Sequence, residues 1–188
     1  MNYIIQKLKN LPYHTHLGSL LKPIENELKE YQFLIADYLF LSPEKDLPIQ
    51  NFSSNYEIFD AENFLDLAQK DVKFNYGYFA AIPKDKEIVL DLENLPYVEG
   101  NPEIWYNEFL RDDAEIEIYA YDGSYSLIKF KNSKFFNTFA EYFPEAELLP
   151  RVFNIRIVPV PPRLFRFKPS PSRLLSADTL LSRILPGV

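Results

Sequence analysis

The stretch EIEIYAYDGSYSLIKFK, at residues 115–131, carries the clearest structural pattern in this chain of 188 residues. Polar and apolar residues alternate on both sides of Asp122-Gly123, and two such runs joined by Asp-Gly are the strongest local sign of a β-hairpin. A loop with an odd number of residues, such as 121–123 with Gly123 in the left-handed conformation of a bulge, sorts the side chains best. One face then carries a mostly apolar set: Ile116, Ile118, Ala120, Ser126, Ile128 and Phe130.

The opposite face of this hairpin combines tyrosines with charged residues. It carries Glu115, Glu117, Tyr119 and Tyr121 beside Tyr125, Leu127, Lys129 and Lys131. Tyrosine is enriched at the energetic centres of protein interfaces, so this face is a candidate surface for binding a partner. Two alternatives are that a helix covers the face, and that its carboxylates only pair with lysines or contact solvent. The candidate partner-binding residues are Asp112, Asp113, Glu115, Glu117, Tyr119, Tyr121 and Tyr125.

Three further segments have helical patterns. One follows the hairpin, where phenylalanines recur at helical spacing between an expected N-cap at Ser133 and a stop at Pro144. A second is expected to begin after a cap at Asp60 and to run for about ten residues. The third has apolar residues at helical spacing between residues 17 and 31, and because of Pro23 it either begins near Ser19 or is interrupted at the proline.

The strand patterns complete an α+β fold class. Residues 32–41 are almost all apolar, as in a strand buried on both faces, and Asp37 is expected at a strand end or paired with a neighbour. Alternate residues of 72–82 are predicted to share one face. Two shorter strands are predicted at 56–59 and 88–90. With the hairpin, these segments predict an antiparallel or mixed sheet of about five strands with about three helices.

Charge divides the chain into two parts. Residues 1–150 contain 13 basic and 26 acidic residues, a net charge of −13, whereas residues 151–188 contain 7 basic and 1 acidic residue, a net charge of +6. We therefore predict a single acidic domain at 1–149, followed by an irregular, poorly ordered tail at 150–188 that is rich in proline and arginine. The abrupt change in composition favours an origin of the tail outside the domain, such as a frameshift or a fused element. The alternative is a proline-rich ligand segment.

Composition and motifs narrow the classes of function. The chain has no cysteine and no nucleophile-elbow motif, and its five glycines do not form a phosphate-binding loop, so we expect neither an enzyme nor a cofactor. A strongly acidic domain repels nucleic acid and anionic membranes and attracts basic proteins. The sequence shows no secretory leader and no apolar run long enough to span a bilayer, which predicts a cytoplasmic protein.

Three hypotheses for the function remain. The first is a non-enzymatic acidic protein that binds and masks a basic protein partner, as a bacterial immunity protein or antitoxin does. The second is an accessory or structural domain whose acidity only provides solubility. The third is a metal-dependent hydrolase that uses His14, His16 and an acidic residue, although a surface or capping role for the two histidines is the simpler interpretation.

Overall fold

The described part of the chain, residues 2–6, 11–51 and 55–149 of a computed structural model, forms one antiparallel sheet with three helices. The strands are β1 Asn2–Ile5, β2 Tyr31–Leu41, β3 Tyr56–Phe59, β4 Lys73–Pro83, β5 Ile116–Tyr121, β6 Tyr125–Phe130 and β7 Glu147–Leu148. The helices are α1 Leu17–Leu21, α2 Ala61–Gln69 and α3 Ser133–Tyr142. The α+β class is confirmed, whereas the tail predicted at 150–188 lies outside the described residues.

The sheet has seven strands among these residues, in the order β3-β2-β4-β5-β6-β1-β7, so the expectation of about five strands was wrong. The two additional strands are short. β1 has four residues and pairs with both β6 and β7, and β7 has two residues. Such short segments show too little alternation to be recognised in the sequence, and they depend on the edges of other strands, β1 on that of β6 and β7 on that of β1.

The hairpin of β5 and β6 has the predicted faces. Tyr121 pairs with Tyr125, so the loop contains the three residues 122–124, and Ile118 lies beside Ile128. Asp122 and Gly123 have φ values of 50° and 56°. Glycine adopts this left-handed conformation without strain, and aspartate tolerates it better than most residues. The odd loop with Gly123 in the left-handed conformation is therefore confirmed, although the loop is 122–124 and not 121–123.

The helices cover one side of the sheet, here called the helix face. Phe33 of β2 stacks on Phe64 of α2 with ring centroids 3.8 Å apart, and Phe130 of β6 contacts Phe139 of α3 at 5.4 Å. Burying a ring of this size stabilises the fold by about 1.5–3 kcal/mol. The phenylalanines of α3 therefore pack on the apolar face of the hairpin, as their spacing predicts.

The starts of the helices follow local capping rules. The Asp60 carboxylate accepts a hydrogen bond from Asn63 N–H at 2.8 Å, which confirms the predicted cap of α2. The cap of α3 is Asn132 and not Ser133, because the Asn132 side chain accepts from the N–H two residues later. α1 ends before Pro23, and short 3₁₀ turns follow it, so the proline interrupts the third helix.

The opposite side of the sheet, here called the loop face, is covered by residues 84–115, the covering segment. This segment is irregular except for a 3₁₀ turn at Pro102–Trp105. Its buried residues Val98, Ile104 and Ala114 pack with apolar residues of β2, β4 and β5. The strand predicted at 88–90 does not form. The edges of β4 are already paired with β2 and β5, so residues 88–90 have no adjacent strand edge to join.

Two irregularities in the register of β2 and β4 correct the prediction for 72–82. Asp37 and Tyr38 together lie opposite Gly77, because Ala36 pairs with Tyr78 and Leu39 pairs with Tyr76. This bulge changes the alternation of side chains along β2, and a second register shift, in which Leu39 pairs with Tyr76 and Phe40 with Phe74, adds Asn75 to β4 and changes the alternation along β4. Val72 and Phe74 consequently pack on the helix face, whereas Tyr78, Ala80 and Ile82 pack on the loop face.

Among the described residues, no helix has the length and hydropathy needed to cross a membrane.

Candidate functional site

The centre of the predicted binding face is buried beneath the covering segment. Glu117 and Tyr119 have 0% exposed area, and so does Lys129, which pairs with Glu117 across the hairpin. The sequence allowed two interpretations of this face, an exposed binding patch or a face covered by another segment. At Glu117 and Tyr119 the structure shows the covered face. The cover is an irregular segment and not a helix. Glu117 and Tyr119 therefore present no surface to a partner in this structure.

Glu117 is a buried carboxylate that accepts four hydrogen bonds. Its Oε1 accepts from the Tyr78 hydroxyl at 2.6 Å and from Arg111 N–H at 2.9 Å. Its Oε2 accepts from Leu110 N–H at 3.1 Å and from the Tyr119 hydroxyl. Burial raises the pKa of Glu117, and the hydrogen bonds from the two tyrosines act in the opposite direction. Glu117 thus attaches the covering segment to the sheet.

Lys129 attaches the same segment through a group of opposite charge. Its Nζ donates a hydrogen bond to the Glu108 carbonyl oxygen at 2.6 Å and lies 4.8 Å from the centre of the Tyr119 ring. Burial lowers the pKa of Lys129 to about 8, although the nearby carboxylates of Glu117 and Glu108 favour the charged form. These contacts give Glu117 and Lys129 a structural role in holding the loop face closed.

The predicted aspartates lie at the start of β5. Asp113 forms an ion pair with Arg111, with 2.5 Å between Oδ2 and Nη2, and the Asp112 carbonyl oxygen accepts from Lys131 Nζ at 2.6 Å. Glu115, which is half-buried, lies at this same end. Tyr121 lies six positions further along the extended strand, at a distance of about 20 Å. The structure therefore does not bring Asp112, Asp113 and Glu115 together with the predicted tyrosines of the turn.

Tyr121 and Tyr125 lie at the turn of the hairpin in a group of aromatic rings. Trp105 of the covering segment contacts both, with centroid distances of 5.3 Å and 6.3 Å, and Tyr76 contacts Tyr121 at 6.0 Å. Burial, followed by the charge of Asp122, raises the pKa of Tyr76 to about 12, and the same causes raise the pKa of Tyr121. These two phenols therefore stay neutral at physiological pH in an environment of negative potential.

Two clefts flank this turn at the same end of the sheet. The first, here called the histidine cleft, has a volume of about 540 Å³. It lies where β1 ends and β7 begins, and its lining includes Ile4, His14, Tyr125, Glu145 and Glu147. Glu145 and Glu147 are both exposed. This cleft therefore places two carboxylates beside one of the predicted tyrosines.

The second cleft, here called the tyrosine cleft, has a volume of about 440 Å³. It lies at the β2 bulge and is lined by the carboxylates of Asp37, Glu93 and Glu99, together with Tyr76 and Tyr97. Asp37 has a φ of 46°, and its Oδ2 accepts from the N–H groups of Val98 at 2.5 Å and Glu99 at 3.2 Å. The expectation that Asp37 is paired with a neighbour is confirmed, and its partners are backbone groups of the covering segment.

The charged residues that line the two clefts have the same sign. None of the described lining residues of either cleft is a lysine or an arginine. Glu93, Glu99, Glu145 and Glu147 were not predicted as site residues, because they lie in segments without regular periodicity. The run of turn residues at 95–102 was the one local signal near this surface, and it indicated only a loop.

The two histidines have separate structural partners. His14 Nε2 donates a hydrogen bond to the Gly123 carbonyl oxygen, which joins residues 11–16 to the turn of the hairpin. His16 Nδ1 accepts from Ser19 N–H at 3.1 Å and caps α1. The capping role expected for a histidine is thus confirmed for His16. Within residues 2–6, 11–51 and 55–149, no three or more histidine, aspartate or glutamate side chains form a group that could hold a metal ion.

Comparison with other proteins did not identify a relative. The chain matched no protein-family model, no curated protein and no solved structure. The functional argument therefore depends on the residues and geometry of the chain alone.

Proposed function

We propose that this protein is a non-enzymatic binding protein whose acidic surface at the hairpin turn holds a basic protein partner, in the manner of an immunity protein or antitoxin. The observation that carries the proposal is the pair of clefts beside Tyr121 and Tyr125, whose described lining includes five carboxylates and neither lysine nor arginine. Such a surface attracts a basic partner over a distance and repels an acidic one.

The aromatic residues of the turn support binding of a protein. Tyr121 and Tyr125 are half-buried, so each ring is held in place by its neighbours and still exposes part of its area. An aromatic side chain that is already ordered loses little conformational entropy on binding, which is one reason why tyrosine is frequent at interface hot spots. The carboxylates around the turn would then select the charge of the partner.

A matched pair of charge reversals tests this proposal. The test variant is Glu145→Lys with Glu147→Lys, in the histidine cleft. The control variant is Asp85→Lys with Glu87→Lys, which are also exposed acidic residues two positions apart, shortly after β4. Both variants change the net charge by the same amount. The tagged full-length proteins are used to capture partners from a lysate of the cells that make this protein, at low and high salt, with mass spectrometry of the retained proteins.

The expected result is one stoichiometric basic protein that is retained by the unmodified protein and by the control variant and is released by salt. Its affinity for the test variant should fall by at least about tenfold, because two attractive charges become repulsive. Equal retention by both variants would place the contact elsewhere. Retention of no specific protein would favour the hypothesis of an accessory domain without a dedicated partner.

A further inference from the structure

We infer that the tyrosine cleft is a binding site for the side chain of an arginine in the basic partner. This inference rests on the proposed function and adds the class of group that the cleft accepts. The cleft combines three carboxylates, Asp37, Glu93 and Glu99, with apolar and aromatic walls in a volume of about 440 Å³. Arginine is the side chain whose two parts match these two kinds of surface.

The walls of the cleft match the aliphatic and planar parts of arginine. Leu92 and Tyr97 line it with 63% and 51% of their areas exposed, so the protein leaves large apolar groups uncovered at this point. The methylene groups of an arginine can lie along such a surface while the guanidinium contacts charged groups. The guanidinium plane also stacks on a tyrosine ring, which the compact ammonium of lysine does less well.

Asp37 has an acceptor oxygen that none of the described residues uses. Its Oδ2 holds Val98 and Glu99 through their N–H groups, whereas its Oδ1 has no hydrogen-bond partner among the described residues. The carboxylate is thus fixed in orientation by one oxygen and can accept a charge-assisted hydrogen bond with the other. Its position in the β2 bulge places it in the wall of the cleft.

Other kinds of occupant fit the cleft less well. An anion would be repelled by the three carboxylates, and an apolar group would remove their solvent without replacing its hydrogen bonds. A metal ion lacks support, because the described residues contain no group of three suitable ligands. A long cationic side chain satisfies both the charge and the exposed apolar wall.

The inference is tested by nuclear magnetic resonance with two small probes that differ in charge. N-acetyl-arginine amide and its neutral near-isostere N-acetyl-citrulline amide are added separately to the ¹⁵N-labelled full-length protein. The arginine probe should shift the amide signals of Val98 and Glu99, with a Kd in the millimolar range, as expected of one side chain without the rest of a partner. The citrulline probe should bind at least about tenfold more weakly because it lacks the charge.

The variant Asp37→Asn removes the charge and keeps the local structure. Asparagine tolerates a positive φ, and its amide oxygen can accept the same two N–H groups. It should weaken binding of the arginine probe by about tenfold, whereas the distant control Asp85→Asn should not change it. If Asp37→Asn alters the spectrum as a whole, Glu93→Gln with Glu99→Gln is the second variant, since both of these side chains are exposed.

Equal shifts by the two probes, or unchanged binding in the charge-neutralised cleft variants, would overturn the inference. The outcome is distinct from that of the capture experiment. If a basic partner is captured and lost on reversal of Glu145 and Glu147, but the arginine probe does not bind, the proposed function stands and the assignment of this cleft is wrong. If the probe binds in the manner described and no partner is captured, the proposed function fails while the cleft remains a site for a guanidinium group.

Discussion

The two faces of the sheet are buried by different means. On the helix face, α2 and α3 pack aromatic rings against aromatic rings, as Phe64 does on Phe33 and Phe139 on Phe130. On the loop face, the covering segment is irregular, and the sheet meets it with the buried charged residues Glu117 and Lys129. One sheet therefore has an apolar interface on one side and a partly polar interface on the other.

The difference follows from the backbone of the covering element. A helix satisfies its own N–H and C=O groups, so the face that it presents to a sheet can be purely apolar. An irregular segment leaves such groups unpaired, and burying them without partners costs free energy. Here Glu117 accepts from the N–H groups of Leu110 and Arg111, and Lys129 donates to the carbonyl of Glu108. Buried charges on a sheet can thus indicate that a loop, and not a helix, covers it.

The largest effect is expected from a cavity on the helix face. Phe139 is fully buried and contacts the rings of Tyr3, Phe130 and Phe143 at centroid distances of 5.3, 5.4 and 4.9 Å. Phe139→Ala should lower the free energy of unfolding by about 3–5 kcal/mol, measured by urea denaturation. Tyr142→Ala, on the same helix but 43% exposed, is the control and should cost less than about 1 kcal/mol. Similar losses in both variants would contradict an apolar interface centred on Phe139.

A smaller and more local effect is expected on the loop face. Glu117→Gln keeps the shape of the side chain but turns an amide NH₂ toward hydrogen-bond donors. This change should lower the free energy of unfolding by about 2–3 kcal/mol. The amides of Leu110 and Arg111 should exchange their hydrogens faster, while those of α2 and α3 change less. Hydrogen exchange followed by nuclear magnetic resonance measures both. Glu115→Gln, at a half-buried position, should leave the pattern unchanged, and uniform acceleration in Glu117→Gln would show that the two faces do not open separately.

The smallest effect is a dependence of stability on alkaline pH. Lys129 in the unfolded chain keeps its proton up to its ordinary pKa of 10.5, whereas burial lowers the pKa to about 8 in the folded protein. Between these values the unfolded state binds more protons, so stability should rise with pH, by at most roughly 1.4 kcal/mol per unit. From about pH 8 to about pH 9.5 we expect Lys129 to contribute a gain of about 1–2 kcal/mol, given this maximum slope. Because the tyrosines with raised pKa act in the opposite direction, urea denaturation measures this contribution as the difference between the unmodified protein and a variant without Lys129.

Two lysine variants isolate this contribution. Lys129→Met should remove the gain, whatever its effect on stability at neutral pH, because the titrating group is absent. Lys131→Met removes an exposed lysine two residues later and should retain the gain. A rise with pH that is the same in all three proteins would show that another group is responsible.

Local patterns predicted much of the fold. The alternation of 115–131 predicted which residues of the hairpin share a face, and Asp60 marked the start of α2, because both features depend on residues that are close in sequence. The β2 bulge was not predictable, because Asp37 interrupts the apolar run without showing how the strand opposite it is aligned. Of the predicted site residues, Tyr121 and Tyr125 lie beside the clefts, whereas Glu117 and Tyr119 are covered.

The periodicity of the chain was sufficient to predict the helices, the longer strands and the face of the hairpin that packs against the helices. A period of two residues or of 3.6 residues can be recognised from neighbouring positions alone. For the outer face of the hairpin, which carries the charged Glu117 and Lys129, the sequence left open whether the face is exposed or covered. Only the folding of residues 105–111 over the sheet shows that these charges are buried and paired with backbone groups. The clefts likewise combine residues from 4 to 147, and contacts over such separations depend on the packing of the whole sheet, which no local pattern encodes.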